Sequence, residues 1–130
     1  METKKIGFIG FGEVGRTFSQ EMKAKGAEVY YYDIVEKKPE EGISFLPLRE
    51  LVLTCNIILS TVATHVAIEV AREAVKYLDS EKTYADMNST SASVKTKIAE
   101  IIEKTGANFI EGAVLSAVGE TGSKASILVS

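Results

Sequence analysis

The sequence has little of what builds disulfide scaffolds or metal centres: one cysteine, Cys55, and one histidine, His65, in 130 residues. A single thiol closes no internal disulfide, so a reducing compartment and a cytoplasmic location are expected. One His and one Cys also leave no ligand cluster for a metal. The net charge is −3 and no basic run appears, which argues against a nucleic-acid surface. No apolar stretch approaches the length of a membrane span. The run near the N-terminus is broken by Gly10 and Gly12, so it is no signal-peptide core.

What is present is ordinary for a soluble globular chain: 45% hydrophobic and 25% charged residues. At this length one domain with a real core is expected. The organising stretch is Lys5 to Asp33, KIGFIGFGEVGRTFSQEMKAKGAEVYYYD. An apolar run, Ile6 to Ile9, is the right length for one buried strand. Gly10, Gly12 and Gly15 follow in G-x-G-x-x-G spacing, and Val14, Phe18 and Met22 recur four apart as the apolar stripe of a helix. Gly26 stops that helix, and a second strand, Glu28 to Tyr32, ends at Asp33. A strand, a glycine turn, a helix, a strand and a terminal acid in that order predict a dinucleotide site.

Each glycine has a physical task in that reading. Gly10 makes the tight turn, Gly12 lets backbone approach a pyrophosphate, and Gly15 lets the helix lie against the sheet. Free N–H groups and the positive helix end complete an anion site formed by Gly10, Phe11, Gly12, Glu13, Val14 and Gly15. Glu13 places a like charge in that first turn, which Arg16 could offset or which could point to solvent. Asp33 would accept hydrogen bonds from the ribose hydroxyls of NAD and repel a 2′-phosphate. Lys37 and Lys38 keep NADP open should the loop fold back.

Beyond Asp33, IVEKKPEEG is a loop or a single helical turn, too short for a crossover helix before a strand at Ile43 to Phe45. A short helix, Leu48 to Thr54, precedes a fourth strand over Asn56 to Val62. Thr64 is the expected N-cap of a helix from His65 to Leu78, with Val66, Val70 and Ala74 on one face. A fifth strand, Lys82 to Met87, leads into the polar turn Asn88-Ser89-Thr90-Ser91. Ser91 caps the next helix, Ala92 to Thr105, which buries Val94, Ile98, Ile101 and Ile102. A sixth strand, Ala107 to Val114, and a last one, Ala125 to Val129, complete the pattern. The fold expected is α/β: a Rossmann-type, doubly wound, mainly parallel sheet with helices on both faces. The apolar end at Ser130 suggests a domain cut from something longer. Its last strand is expected to expose a patch covered by homo-oligomerisation.

Two further places belong to the crevice in this reading. Thr61, Val62 and Ala63, ending the fourth strand, would let a nucleoside pack closely. Asn88, Ser89 and Thr90 would orient a nicotinamide carboxamide or a substrate. His65, in a helix's first turn, is expected at the surface rather than in catalysis. Cys55 reads as buried filler. Tyr30, Tyr31 and Tyr32 read as core or edge packing. Lys95, nearest the polar turn, is expected in solvent.

These residues resemble a known family. IGFIGFGEVG (6–15), Asp33, ADMNSTSASVK (85–95), GANFIEGAVL (106–115) and SILVS (126–130) are similar to the N-terminal domain of the β-hydroxyacid dehydrogenases, which include 6-phosphogluconate and 3-hydroxyisobutyrate dehydrogenases. The resemblance implies a nicotinamide dinucleotide as cofactor and hydride transfer to or from a small hydroxyacid. In that family the turn after the fifth strand reads D-x-S-T-x-x-P; Asp86 and Ser89 fit it, whereas Asn88 and Ala92 depart from it. The family's substrate-holding glycine pair is not matched at Ser116-Ala117. Its catalytic lysine belongs to a following helical domain, so a small-molecule substrate is expected only where a second domain is supplied, and the catalytic residue is unknown here. Two other readings compete: a stand-alone nucleotide sensor without catalysis, and a methyltransferase using S-adenosylmethionine. The match from residue 85 onward argues against the methyltransferase.

Overall fold

One sheet with two buried faces explains why the strands read as unbroken apolar runs. The computed structural model describes residues 4–38, 40–88 and 91–111. Among the described residues there are six strands, β1 (Lys5–Ile9), β2 (Glu28–Tyr32), β3 (Ile43–Phe45), β4 (Ile57–Ser60), β5 (Thr83–Asp86) and β6 (Asn108–Glu111). They pair in parallel in the order β3-β2-β1-β4-β5-β6. The expected strand over Ala125 to Val129, with the patch assigned to it, lies outside the described residues, as do Ser89, Thr90 and residues 112–130.

Strand alternation divides the core in two. Ile6, Phe8, Ile57 and Leu59 pack on one face with Met22 of α1 (Glu13–Ala24). Ile9, Ile58 and Tyr84 pack on the other face against α2 (Leu48–Thr54), α3 (Ala67–Ala74) and α4 (Ala92–Glu103). Each fully buried Ile, Leu or Phe contributes about 1.5–3 kcal/mol to folding. On the second face β1 carries Gly7, where an added Cβ would lie 2.6 Å from Leu51 and 2.8 Å from the Cys55 Sγ. The missing side chain sets how closely α2 approaches the sheet. The C-terminal end of α2 is closed by the buried Lys82, whose Nζ donates to the carbonyls of Leu53 (3.1 Å) and Cys55 (2.8 Å).

Three sequence expectations are corrected. The buried side of α1 is Gly15, Ser19 and Met22, while Val14 is 54% exposed and Phe18 half-buried. Gly15 has to face the glycine turn, which rotates the helix away from the predicted stripe; Ser19 tolerates burial because its Oγ donates to the Arg16 carbonyl at 2.8 Å. The helix predicted from His65 begins instead with a 3₁₀ turn, Thr64–Val66, and becomes α-helical only at Ala67, with Val66 in the capping position and no side-chain cap. That delay shifts the buried face to Ala67, Ala71 and Ala74. Val66 and Val70 are released toward the C-terminal edge of the sheet. Finally, Lys95 is not solvated: its side chain is 13% exposed and its Nζ donates to the Asp86 carbonyl at 3.1 Å.

The link from β2 to β3 is, as expected, a loop without a helix, closed by an antiparallel bridge between Glu40 and Ile43. β4 and β5 are shorter than their predicted spans. Past β4, Thr61 and Val62 leave the ladder to line the cleft.

Candidate functional site

The strand order reverses between the parallel neighbours β1 and β4: the connection after β1 leads to β2 on one side of the sheet, and the connection after β4 leads to β5 on the other. Such a switch point opens a crevice beyond the carboxyl ends of the strands. Here it is a cleft of about 670 Å³, floored by Gly10, Phe11 and Gly12 and walled by Asp33 on one side and Thr61, Val62 and Ala63 on the other.

The floor is built from distant parts of the chain. Gly10 has φ +90°, a left-handed conformation open to glycine, and its N–H donates to the Tyr32 carbonyl at 2.7 Å. The Thr61 hydroxyl donates to the Gly10 carbonyl at 2.6 Å, and the Phe11 N–H donates to Asp33 Oδ2 at 2.9 Å. The turn is thus held from both sides by the ends of β4 and β2. An added Cβ at Gly10 would lie 2.5 Å from the Thr61 carbonyl oxygen, and one at Gly15 would lie 2.9 Å from the Gly10 oxygen. A Cβ at Gly12 would meet no atom within 4 Å. Of the three motif glycines, Gly12 alone is unconstrained by its own protein, and it faces the cleft.

Gly12 is also the N-cap of α1, with no side chain capping the helix. The first-turn amides therefore keep their donors, and the helix dipole adds about half a positive charge there. Glu13 and Val14 are exposed and form no part of the cleft wall. Arg16, considered as a counter-charge to Glu13, instead pairs with Glu40 at 3.0 Å and lies 5.4 Å over the Phe11 ring. The Phe11 side chain is buried, stacked on Tyr31 with ring centroids 4.3 Å apart.

Asp33 is half-buried. Besides Phe11 it accepts the Val35 N–H on Oδ1 at 3.3 Å, and the Lys37 ammonium stands 4.0 Å from Oδ2. A carboxylate has about four acceptor sites, so capacity remains on the cleft side. Tyr31 steadies the loop that follows: its hydroxyl accepts the Lys37 N–H at 2.8 Å and donates to the Lys37 carbonyl at 3.2 Å.

Asn88, the described first residue of the polar turn after β5, is placed differently from the expectation. Asn88 is buried and stands off the cleft wall; its Nδ2 donates to the Ser60 Oγ at 3.1 Å and its N–H to Asp86 Oδ1 at 2.9 Å. It ties β4 to β5 rather than presenting its amide to the cleft. Asp86 is fully buried, with Lys95 Nζ 3.8 Å from its Oδ2, an oxygen lacking a hydrogen bond among the described residues. Burial pushes the Tyr84 phenol up, and pushes the Cys55 thiol up to about 12, so Cys55 is an inert thiol.

Several cleft residues went unmarked in the sequence. Ile34, Leu48, Val66 and Val70 supply apolar wall, and Glu69, Glu73 and the exposed His65 its rim. Val66 and Val70 carried a signal, an apolar pair beyond what the core needs, hidden by the delayed start of α3. Among the described residues no group of His, Cys, Asp and Glu is arranged to hold a metal.

Comparison with known proteins agrees with this geometry. A family described as the NAD binding domain of 6-phosphogluconate dehydrogenase matches residues 5–129. A relative from Methanothermus fervidus, an uncharacterized 28.5 kDa protein in the 7S RNA 5′ region, is 31% identical over 123 residues, 88% of this chain and 46% of its own. A solved conserved protein of unknown function, described as structurally similar to 3-hydroxyacid dehydrogenases, is 27% identical with a TM-score of 0.68, covering 81% of this chain and 41% of its own. An imine reductase from Myxococcus stipitatus, solved with NAD+, shares the fold at a TM-score of 0.75 and 18% identity, over 85% of this chain and 40% of its own.

The site and topology define a dinucleotide-binding Rossmann domain. The chain belongs to the family of 6-phosphogluconate dehydrogenase NAD-binding domains. It spans less than half the length of the relatives just described.

Its own residues fit the cofactor. The open space before Gly12 matches a pyrophosphate drawn against backbone, and the spare acceptor sites of Asp33 match a ribose diol.

Proposed function

We propose that the chain holds the nicotinamide cofactor for an oxidoreductase acting on a small hydroxyacid, with NAD(H) preferred over NADP(H). The observation that carries this reading is the open backbone at Gly12, set at a helix N-terminus beside Asp33. When bound, nicotinamide supplies a hydride acceptor or donor at its C4. The chain's residues bind and orient: first-turn amides of α1 hold the pyrophosphate, Asp33 the adenosine ribose, and Thr61, Val62 and Ala63 the opposite wall. A carboxylate at Asp33 disfavours a 2′-phosphate, although Lys37 lies close enough to moderate that preference. The lone buried cysteine suits a reducing, cytoplasmic setting.

Hydride transfer also needs a group to take the hydroxyl proton. Within these residues no lysine matches the family's catalytic one. Lys95, the nearest to the turn after β5, has its ammonium bonded to Asp86. That engagement favours a second reading, a cofactor-binding module without turnover of its own. Calorimetric titration with NADH and NADPH tests the first claim: NADH should bind more tightly, and tighter NADPH binding would overturn the preference. A hydride-transfer assay over 2- and 3-hydroxyacids separates the readings. Turnover by this chain that is lost in a folded variant of one residue within 1–130 would overturn the second reading; no turnover with NADH bound would support it.

A further inference from the structure

Past Asp33 the cleft continues into a slot with apolar walls and an acidic rim. Ile34, 89% exposed, follows Asp33 directly and forms one wall; Val66 and Val70 form part of the other. Glu69 and Glu73 reach the same cleft from α3, one turn apart. The two carboxylates are not equivalent. Glu73 is matched by Lys76, 3.0 Å away, whereas Glu69 has no ion pair among the described residues.

We infer that Glu69 reads the base of the bound dinucleotide, its carboxylate accepting a hydrogen bond from the 6-amino group of adenine. The inference rests on the cofactor reading above. If Asp33 takes the ribose diol, the base on that same ribose enters the adjoining part of the cleft. Flat apolar walls suit the two faces of a purine, which leaves its polar edge directed to the rim. An ionised carboxylate is acceptor-only, so it favours a base presenting N–H donors and disfavours one presenting a carbonyl oxygen. His65 on the same rim carries both a donor and an acceptor when neutral and makes no such choice. A rim cation would have reversed the preference, and the charged residues of α3 that line the cleft, Glu69 and Glu73, are both acids.

The test is equilibrium binding of three dinucleotides: NAD, its hypoxanthine analogue with a 6-oxo group, and its 1,N6-etheno derivative, which keeps a flat base but loses the N–H donors. Wild type should prefer NAD to either analogue by roughly 5- to 20-fold, near the lower end for one charge-assisted hydrogen bond because solvent screens a wet rim. Glu69→Ala should narrow that margin to within about twofold, and Glu69→Gln, which keeps an acceptor oxygen, should retain part of it. Glu73→Ala should leave the margin in place. Equal binding of all three by wild type, or an unchanged margin in Glu69→Ala, would overturn the inference while leaving the cofactor reading standing. Failure of all three to bind would overturn both.

Discussion

Substituting Gly12 by alanine separates binding from folding more cleanly than any other change in the turn. The residue has φ −87° and ψ −157°, extended values that any L-residue adopts, and a new methyl would meet no atom within 4 Å. Two small stability effects oppose each other. Restricting the unfolded chain stabilises by about 0.4–1 kcal/mol, and alanine is a poorer N-cap than glycine by a similar amount. The net change should be within about 0.5 kcal/mol, a melting shift of roughly 2 °C. Binding should respond quite differently. The methyl fills the space through which backbone amides approach the pyrophosphate, and losing one charge-assisted hydrogen bond costs about 1.5–3 kcal/mol, or roughly 10- to 150-fold in Kd. Gly10→Ala is the contrasting control: its methyl would sit 2.5 Å from the Thr61 oxygen at φ +90°, so it should lower stability by at least about 2 kcal/mol. Titration of NADH followed by thermal melts would read both quantities. Gly12→Ala binding NADH as tightly as wild type would remove the turn from the site; a melting loss as large as that of Gly10→Ala would refute the geometry.

Asp33→Ala should weaken NADH by roughly 10- to 100-fold and NADPH by less, because it removes both a ribose acceptor and the partner of the Phe11 N–H; Asp33→Asn, which keeps an acceptor for that N–H, should recover part of the loss by calorimetry. Lys82→Met should cost about 1.5–3 kcal/mol in urea denaturation by orphaning two carbonyls at the end of α2, while NADH binding is unchanged; weakened NADH binding in a folded variant would contradict the separation of that cap from the site. Cys55 gives a pH signature. Its folded pKa, about 12, is raised above the ordinary value of 9.0, so its contribution to stability is complete below pH 9 and declines between pH 9 and 12. One proton sets that slope at no more than about 1.4 kcal/mol per pH unit, and Cys55→Ala should flatten the alkaline fall by that component; identical profiles would show the thiol to be accessible.

Local order made the first half of the fold legible. Gly10, Gly12, Gly15, Gly26 and Asp33 punctuate elements whose type is fixed by period and length, and a mainly parallel sheet, six strands of it among the described residues, follows from strands alternating with helices. What the sequence hid depends on phase and on distant partners. The buried face of α3 slipped because a 3₁₀ turn delays the helix, and no residue type at Thr64–Val66 announces that. Asn88 and Lys95 look like exposed polar residues in any local window. Only the pairing of β4 with β5, Leu59 with Ala85 and Ser60 with Asp86, brings Ser60 beside Asn88 and gives Lys95 a buried carbonyl to bond. Gly7 lies outside the G-x-G-x-x-G spacing, yet its missing side chain seats α2.

The same dependence bears on how the turn can work. In the proposed binding mode a pyrophosphate would be recognised by amides, and amides recognise well only if held in place before the ligand arrives. Sequence neighbours of Gly10 cannot supply that rigidity, since glycine is the most conformationally free residue in the chain. Rigidity comes instead from Thr61, whose hydroxyl fixes the Gly10 carbonyl, and from Asp33, whose carboxylate fixes the Phe11 N–H. Both braces are at strand ends adjacent to β1, one on each side, so the order β2-β1-β4 is what lets two remote residues grip one turn. Asp33 braces the turn and, in the proposed binding mode, would also be the acceptor at the cleft. Its removal should disturb the pyrophosphate end and the ribose end together, which is why the asparagine variant, rather than alanine, isolates the contribution of charge to cofactor choice.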